Sequence, residues 1–425
     1  MIHLTDTLSL PSVSLSGFDS PLTEDEVALQ SMVHRFARDV MRPIGRELDA
    51  MSAEDVIAAQ SPYWSAMQEA AALGLDPGLL AQIDSPAGRV ESLIGEELGW
   101  GDAGLAVSIA AGSFPLEMAK ASGKQELIDL CEGKIGCWVI TQPDRGSDSI
   151  NLYTKEMHPG TTQVKGNLTA KVQGDEIVIN GQCAAWVSNG AVAQVALCYI
   201  AADYGDGFER DDCLTNGSAI IVPLDLPGVS RGRPLDKIGQ RALPQGEIYF
   251  DNVRVPKRFA VAGKDDYHAN LAATWSYAGT HMCQVFTGVA RSAFELALAY
   301  CHERKQGGVP LMEHQLTRFR IGDMLRRLEM TRASARRTLE FARFSPQKHP
   351  HVTAQGKVSV TEEAMKIVHE AFQLFGANGT SKEYPIEKIY RDTRSALIED
   401  GENYMLTVRL GLTASMLYQE GWTQD

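Results

Sequence analysis

The chain holds 425 residues with 44% hydrophobic and 22% charged side chains and a formal net charge of −14. That length supplies two or three domains with a sizeable buried core; the acidic balance argues against a nucleic-acid partner, and the longest uncharged apolar run, residues 191–202, is too short to span a bilayer. Seven cysteines lie scattered without a C-x-x-C pair, so neither a disulfide framework nor a zinc cluster is expected, and without a basic and apolar leader a cytoplasmic location is the expectation.

Residues 1–20 show no sustained period and read as a loose arm. At Thr23-Glu24-Asp25-Glu26 a capping signal opens a helix whose Val27, Met32, Val33, Phe36, Ala37 and Val40 approximate one apolar face, with Pro43 as its end or kink. Further short helices are predicted over 62–73, 90–98 and 105–118. Near Lys134 the pattern changes. A short apolar run leads into the polar loop Thr141-Gln142-Pro143-Asp144-Arg145-Gly146-Ser147-Asp148. Alternation over 170–182, and apolar runs at 192–201, 218–223 and 247–250, predict an all-β middle domain closed by Pro256.

After Asp265 the helical period returns. Met282, Val285, Phe286, Val289, Ala293, Leu296 and Tyr300 predict one long amphipathic helix. A second, over 316–344, sets Arg320, Arg326, Arg327, Arg332, Arg336 and Arg337 on polar positions, read as a solvated face or a subunit contact. A third, over 357–375, ends in the glycine turn Gln373 to Gly379, whose backbone N–H groups can meet an anionic group. Tyr384-Pro385 starts another helix, with Glu387, Lys388, Arg391, Asp392 and Arg394 expected in solvent and Ile386, Ile389 and Tyr390 inward. It runs into Asp400-Gly401, where an acid between an apolar segment and a glycine suits either a desolvated base or a plain C-terminal turn. With no G-x-G-x-x-G after a strand, no P-loop, no nucleophile elbow and no metal-ligand spacing among the histidines, any enzyme here borrows its chemistry from a cofactor.

The order Q-x-F-G-x-x-G, E-Y-P-x-E-K-x-x-R-D, acid-Gly over 373–401 resembles the C-terminal signature of the acyl-CoA dehydrogenase family. The 141–148 loop is similar to that family's T-E-P-x-A-G-S-D, Trp186-Val187-Ser188-Asn189-Gly190 to W-I-T-N-G, and Glu303-Arg304-Lys305 with Glu313-His314-Gln315 to E-R-K and E-H-Q. The resemblance spans roughly residues 23–420. It implies an α+β multidomain fold: an N-terminal helical domain (1–132), a central β-barrel or sandwich domain (133–262) and a C-terminal four-helix bundle (263–425). It also implies FAD, with Thr141 on the flavin's pyrimidine edge, Trp186 flanking the ring and Ser188 near N5. Arg304 would meet the pyrophosphate across a subunit interface, with Gln373, Gly376 and Gly379 from the neighbouring chain, hence a homo-oligomer, dimer or tetramer. Ser147 would approach the CoA portion of the substrate, and Asp400, followed by Gly401 at the substrate site, would abstract the α-proton of an acyl-CoA while the β-hydride passes to the flavin. An electron-transfer flavoprotein, or O2, would take the electrons.

Departures qualify that picture. The family's catalytic glutamate falls on Asp400, Glu399 replaces an aromatic residue, and Glu402 replaces a threonine that assists FAD binding. The arginine entering the CoA site becomes Gly279, and Gln142 and Arg145 replace the loop's Glu and Ala, with Arg145 placed to offer charge to an unusual acyl group or to CoA phosphates. A specialised acyl group is expected, whether branched, cyclic or heteroatom-bearing. The alternatives are an oxygen-using oxidase or monooxygenase of the same fold, acting on a CoA-linked secondary-metabolism intermediate, and a silent flavin-binding scaffold.

Overall fold

Thr23 accepts the backbone N–H of Glu26 while the Glu26 carboxylate takes the N–H of Thr23, a reciprocal cap that starts α1, Glu24–Phe36. The computed structural model describes residues 21–75, 83, 85–86, 88–150, 165–208, 216–345 and 350–419; the arm over 1–20 and Cys213 lie outside them. Pro43 does not end the first helix. The chain passes through a π turn, Ala37–Met41, and resumes as α2, Arg42–Ala50, because a proline in the first turn of a helical segment has no needed N–H to lose. α3 (Pro62–Ala72), α4 (Arg89–Gly101), α5 (Ala103–Ser122) and α6 (Gln125–Cys131) complete the helical first third.

The middle of the chain forms β1 (Gly136–Val139), β2 (Thr169–Gln173), β3 (Glu176–Gln182), β4 (Val195–Asp203), β5 (Gly217–Pro223), β6 (Val229–Arg231), β7 (Ile248–Pro256) and β8 (Ala260–Ala262). They pair in the order β6-β7-β3-β2-β4-β5-β8, with β1 added parallel to β4. The expected barrel or sandwich is therefore an open mixed sheet: among the described residues β6 and β8 do not pair to close it. β4 and β5 are buried almost throughout, which explains their unbroken apolar runs. The pairing of β3 with β7 shifts register between Ile179 and Gly181. Gly181 has φ +116, and a Cβ there would stand 2.2 Å from the Asn167 carbonyl oxygen.

Four long helices follow: α7 (Tyr267–Glu303), α8 (Gln315–Phe344), α9 (Pro350–Phe375) and, after the shorter α10 (Pro385–Ser395), α11 (Asn403–Gln419). α7 is buried along most of its length because α4 packs on it as well as α8 and α9. α4 and α7 touch backbone to backbone: a Cβ at Gly99 would lie 1.9 Å from the Val285 carbonyl oxygen, and one at Gly288 2.0 Å from that of Glu96.

Two expectations about charge are corrected here. Lys388 and Asp392 of α10 are buried, not solvated, because α10 lies in the seam between the three parts of the chain. The Lys388 ammonium bonds Asp102, the N-cap of α5, and Asp392, each at 2.6 Å, while Arg391 reaches both carboxylate oxygens of Asp49 at 2.9 and 2.7 Å. Likewise Arg332 of α8 is only 2% exposed and bonds Glu96 of α4 at 2.7 Å. A charged residue at a polar helical position can be buried when its counter-charge comes from a distant element.

Candidate functional site

The turn between α10 and α11 is built to hold one residue in an unusual conformation. Asp400 has φ +49, in the left-handed region that a residue with a side chain seldom enters. Its carbonyl accepts the Trp275 indole N–H from α7 at 3.1 Å, and the next carbonyl, of Gly401, accepts the Lys357 ammonium from α9 at 2.7 Å. Asn403 closes the turn by donating its backbone N–H to the Leu397 carbonyl at 3.0 Å. The backbone that carries the half-buried Asp400 carboxyl is thereby fixed. Burial pushes its pKa up, and the Lys357 charge works against that. Glu399 is raised to about 7 by burial and by Asp400 beside it, with Lys237 and Lys357 opposing. Lys357 and Lys237 are each lowered to about 8, first by burial, against the carboxylates that face them.

The polar loop from the β domain meets this turn directly: the Glu402 N–H donates to Ser147 Oγ at 2.9 Å. Glu402 spends its carboxylate as a cap, accepting the Met405 N–H at the start of α11. Thr141, at the head of the same loop, accepts the Ala184 N–H through its carbonyl at 2.9 Å, which sets its side chain on one rim with the Ala184–Gly190 turn. Asn189, with φ +62, is fully buried and bonds the Ser108 and Gly136 carbonyls, so the turn carrying Trp186 and Ser188 is anchored from beneath. Gln245 bonds the Trp186 carbonyl at 2.8 Å, pairs with Ser188 along the backbone and accepts Lys237 Nζ at 2.8 Å. Thr141, Trp186, Ser188, Ser147, Asp400, Gly401 and Glu402 thus belong to one constellation.

That rim fits the flavin the resemblance implies: Trp186 is 62% exposed on an anchored turn, and the backbone ties Thr141 to the same turn that carries Ser188. Arg145 is turned inward, toward Asp148 of its own loop at 3.4 Å, and Gln142 is buried and accepts the Leu168 N–H at 2.7 Å. Arg304, Gln373, Gly376 and Gly379 are elsewhere. Twenty-nine residues separate Trp275 from Arg304, at the end of the same helix, which is roughly 43 Å of helix. The last three nevertheless share that far end. Phe375 stacks on Tyr300 at 4.1 Å and Asn378 bonds the Tyr300 hydroxyl, bringing the 376–380 turn to the end of α7 that carries the exposed Arg304. Within one chain the length of this helix keeps these residues apart from the Asp400 turn.

Gly279 faces α9, where a Cβ would meet Thr353 atoms at 3.7 and 3.8 Å, so that position offers no charge. Around the same helix a cavity of about 520 Å³ is lined by Tyr277, His281 and Gln284 of α7, Ile94 and Leu98 of α4, and Arg343 of α8, whose guanidinium lies 4.7 Å over the Tyr277 ring. Lys357, Lys237, Gln245 and Arg343 were not among the residues singled out by sequence. Lys357 did carry a signal: it occupies the position one turn before Thr361, on the apolar stripe of α9 that includes Val360, Ala364, Ile367 and Val368.

A family model described as acyl-CoA dehydrogenase, C-terminal domain, matches residues 277–411, and one described as acyl-CoA dehydrogenase, middle domain, matches residues 137–253. The human short-chain specific acyl-CoA dehydrogenase is 30% identical over 273 residues, 63% of this chain and 60% of that protein. The cyclohex-1-ene-1-carbonyl-CoA dehydrogenase of Geobacter metallireducens is 26% identical over 402 residues, 92% of this chain and 98% of that enzyme. Butyryl-CoA dehydrogenase from Megasphaera elsdenii superposes with a TM-score of 0.79 at 22% identity, covering 93% of this chain and all of that one, a likeness of fold.

Proposed function

Since the chain belongs to the acyl-CoA dehydrogenase family of FAD-dependent oxidoreductases, we propose that it dehydrogenates a specialised acyl-CoA between the α and β carbons with Asp400 as the base. The observation that carries this reading is an aspartate in a turn whose Asp400 and Gly401 carbonyls are held by Trp275 and Lys357, and which is joined through the Glu402 N–H to Ser147 of the 141–148 loop. FAD, when bound, supplies the acceptor for the two electrons and the hydrogen leaving the β-carbon. Thr141, Trp186 and Ser188 would hold its ring, and Arg304 with Gln373, Gly376 and Gly379 would serve the site of a second copy, because about 43 Å of helix keeps them from their own. On that reading the protein works as a homo-oligomer. Asp400 takes the α-proton; burial raises its affinity for that proton, and exclusion of water keeps it from being wasted on solvent.

A compact cyclic or branched acyl group is the substrate class we favour. Two points support it: the likeness over 92% of the chain to an enzyme named for a cyclohexene carbonyl thioester, and an aspartate one carbon shorter than the usual base, which requires the α-carbon to approach more closely. Electrons would leave to an electron-transfer flavoprotein. The test is anaerobic flavin absorbance during titration with straight, branched and cyclic acyl-CoA esters, followed by air. Bleaching by one class, about 10²- to 10⁴-fold slower in Asp400→Asn, is the expected outcome. No bleaching, with rapid oxygen uptake instead, moves the assignment to the oxygen-using alternative.

A further inference from the structure

Lys357 is 1% exposed, and a lysine ammonium in such a place needs acceptors on every side. It finds two, the Gly401 carbonyl at 2.7 Å and Asn403 Oδ1 at 2.8 Å, both in the catalytic turn. The arrangement closes on itself: Asn403 Nδ2 donates to Thr361 Oγ1 at 3.1 Å, and the Thr361 hydroxyl donates to the Lys357 carbonyl at 2.8 Å. The turn is therefore fastened to α9 through one side chain. Charged and titratable groups face that ammonium from two elements, Asp400, Glu399 and Glu402 of the turn and Cys283 of α7, and Lys237 faces Glu399 from the β domain. Among the described residues, none of these carboxylates pairs with Lys357 within 4 Å, so its charge acts on them without direct contact.

We propose that Lys357 is the positioning residue of the turn that carries Asp400: its ammonium, bonded to the Gly401 carbonyl and to Asn403 Oδ1, fixes the backbone that holds Asp400 left-handed and sets a positive charge beside its carboxyl group. This rests on Asp400 being the base. Burial alone would protonate an aspartate and leave it useless for abstraction, while a direct ion pair would make it too weak a base. An ammonium anchored to the neighbouring backbone holds the carboxylate between those extremes.

The test uses the FAD-loaded full chain labelled with carboxyl-¹³C aspartate and follows the Asp400 infrared band through a pH titration, the band being assigned by its loss in Asp400→Asn. In Lys357→Met the Asp400 midpoint rises by on the order of one pH unit, whereas Lys357→Arg leaves it close to the parent value. Lys357→Gln retains a donor for the Gly401 carbonyl but no charge, so it raises the midpoint while leaving the turn in place, and it decides the matter if Lys357→Met fails to fold. An unmoved midpoint in Lys357→Gln overturns the proposal, since a purely structural lysine would not tune the acid. Undiminished turnover in Asp400→Asn would instead defeat the base assignment, and the midpoint shift would still report on Lys357.

Discussion

Two clusters of buried charge lie along α7, and they are built to opposite ends. Where α4 meets α7 and α8, Arg291 bonds Glu96 at 2.9 Å, grips Glu97 through two nitrogens and lies 3.4 Å from Glu295. Arg332 takes the rest of Glu96, Gln30 and His34 complete Glu97, and the Trp100 indole N–H serves Glu295 at 2.6 Å. Burial works to raise Glu97, yet Arg291 and His34 together more than offset it and hold the acid at about 2. Around the catalytic turn the same kinds of group are left incompletely matched. Glu399 Oε2 is buried with no hydrogen-bond partner, and its acid is raised to about 7. Matched charges become structure; mismatched ones drift toward neutral pH, where they can exchange protons.

The largest effect should come from breaking the matched cluster. Arg291→Met removes the cation shared by three buried carboxylates and should cost about 3–5 kcal/mol of stability, read as a large fall in the denaturation midpoint or as loss of folded protein. If Arg291→Met is as stable as the parent, the junction is not what holds α4 to the bundle.

The mismatched cluster predicts the reverse. The folded-state value of Glu399, about 7, lies above its ordinary 4.5, so between those pH values the unfolded chain has released a proton that the folded chain retains, and stability falls as pH rises through that window. Glu399→Gln removes this slope and should stabilise the protein near pH 7 by on the order of 1–3 kcal/mol, checked by denaturant unfolding at pH 5 and pH 7.5. Glu97 carries the opposite sign: its contribution is complete above 4.5 and is lost as pH falls toward 2. A stability curve without opposing slopes would erase the distinction.

A smaller change isolates burial from pairing. Arg327 pairs with Asp323 and Glu363, each at 2.7 Å, but is 26% exposed. Arg327→Ala should cost only about 0.5 to 1 kcal/mol, and less in high salt. A loss as large as that of Arg291→Met would mean that the number of pairs, not their enclosure, governs stability.

Local features of the sequence were legible because their causes are local. The Thr23 cap, the alternation of 170–182 and the apolar period of α7 each depend on neighbours within a few residues. The constellation of Thr141, Ser147, Trp186, Ser188 and Asp400 was found through resemblance; spacing alone could not bring together residues more than two hundred positions apart. What stayed hidden needed a distant partner. Lys388 looks solvated until Asp102 is placed against it, and Arg332 until Glu96 is. Lys357 was passed over because a lysine on a helix is ordinarily exposed, and the acceptors that make it otherwise are 44 and 46 residues further on.

The seam helix α10 has a consequence for how the chain is made. Asp49 receives its counter-charge from Arg391, 342 residues later, and Asp102 receives Lys388, 286 residues later. As the chain emerges from the ribosome, its first helices therefore carry acids that cannot be neutralised until nearly all of it has been synthesised. Completion of the first third is deferred to the end of translation, and contacts of such long range close slowly. A nascent chain stopped before residue 385 would expose that seam, which makes the last forty residues the checkpoint of assembly.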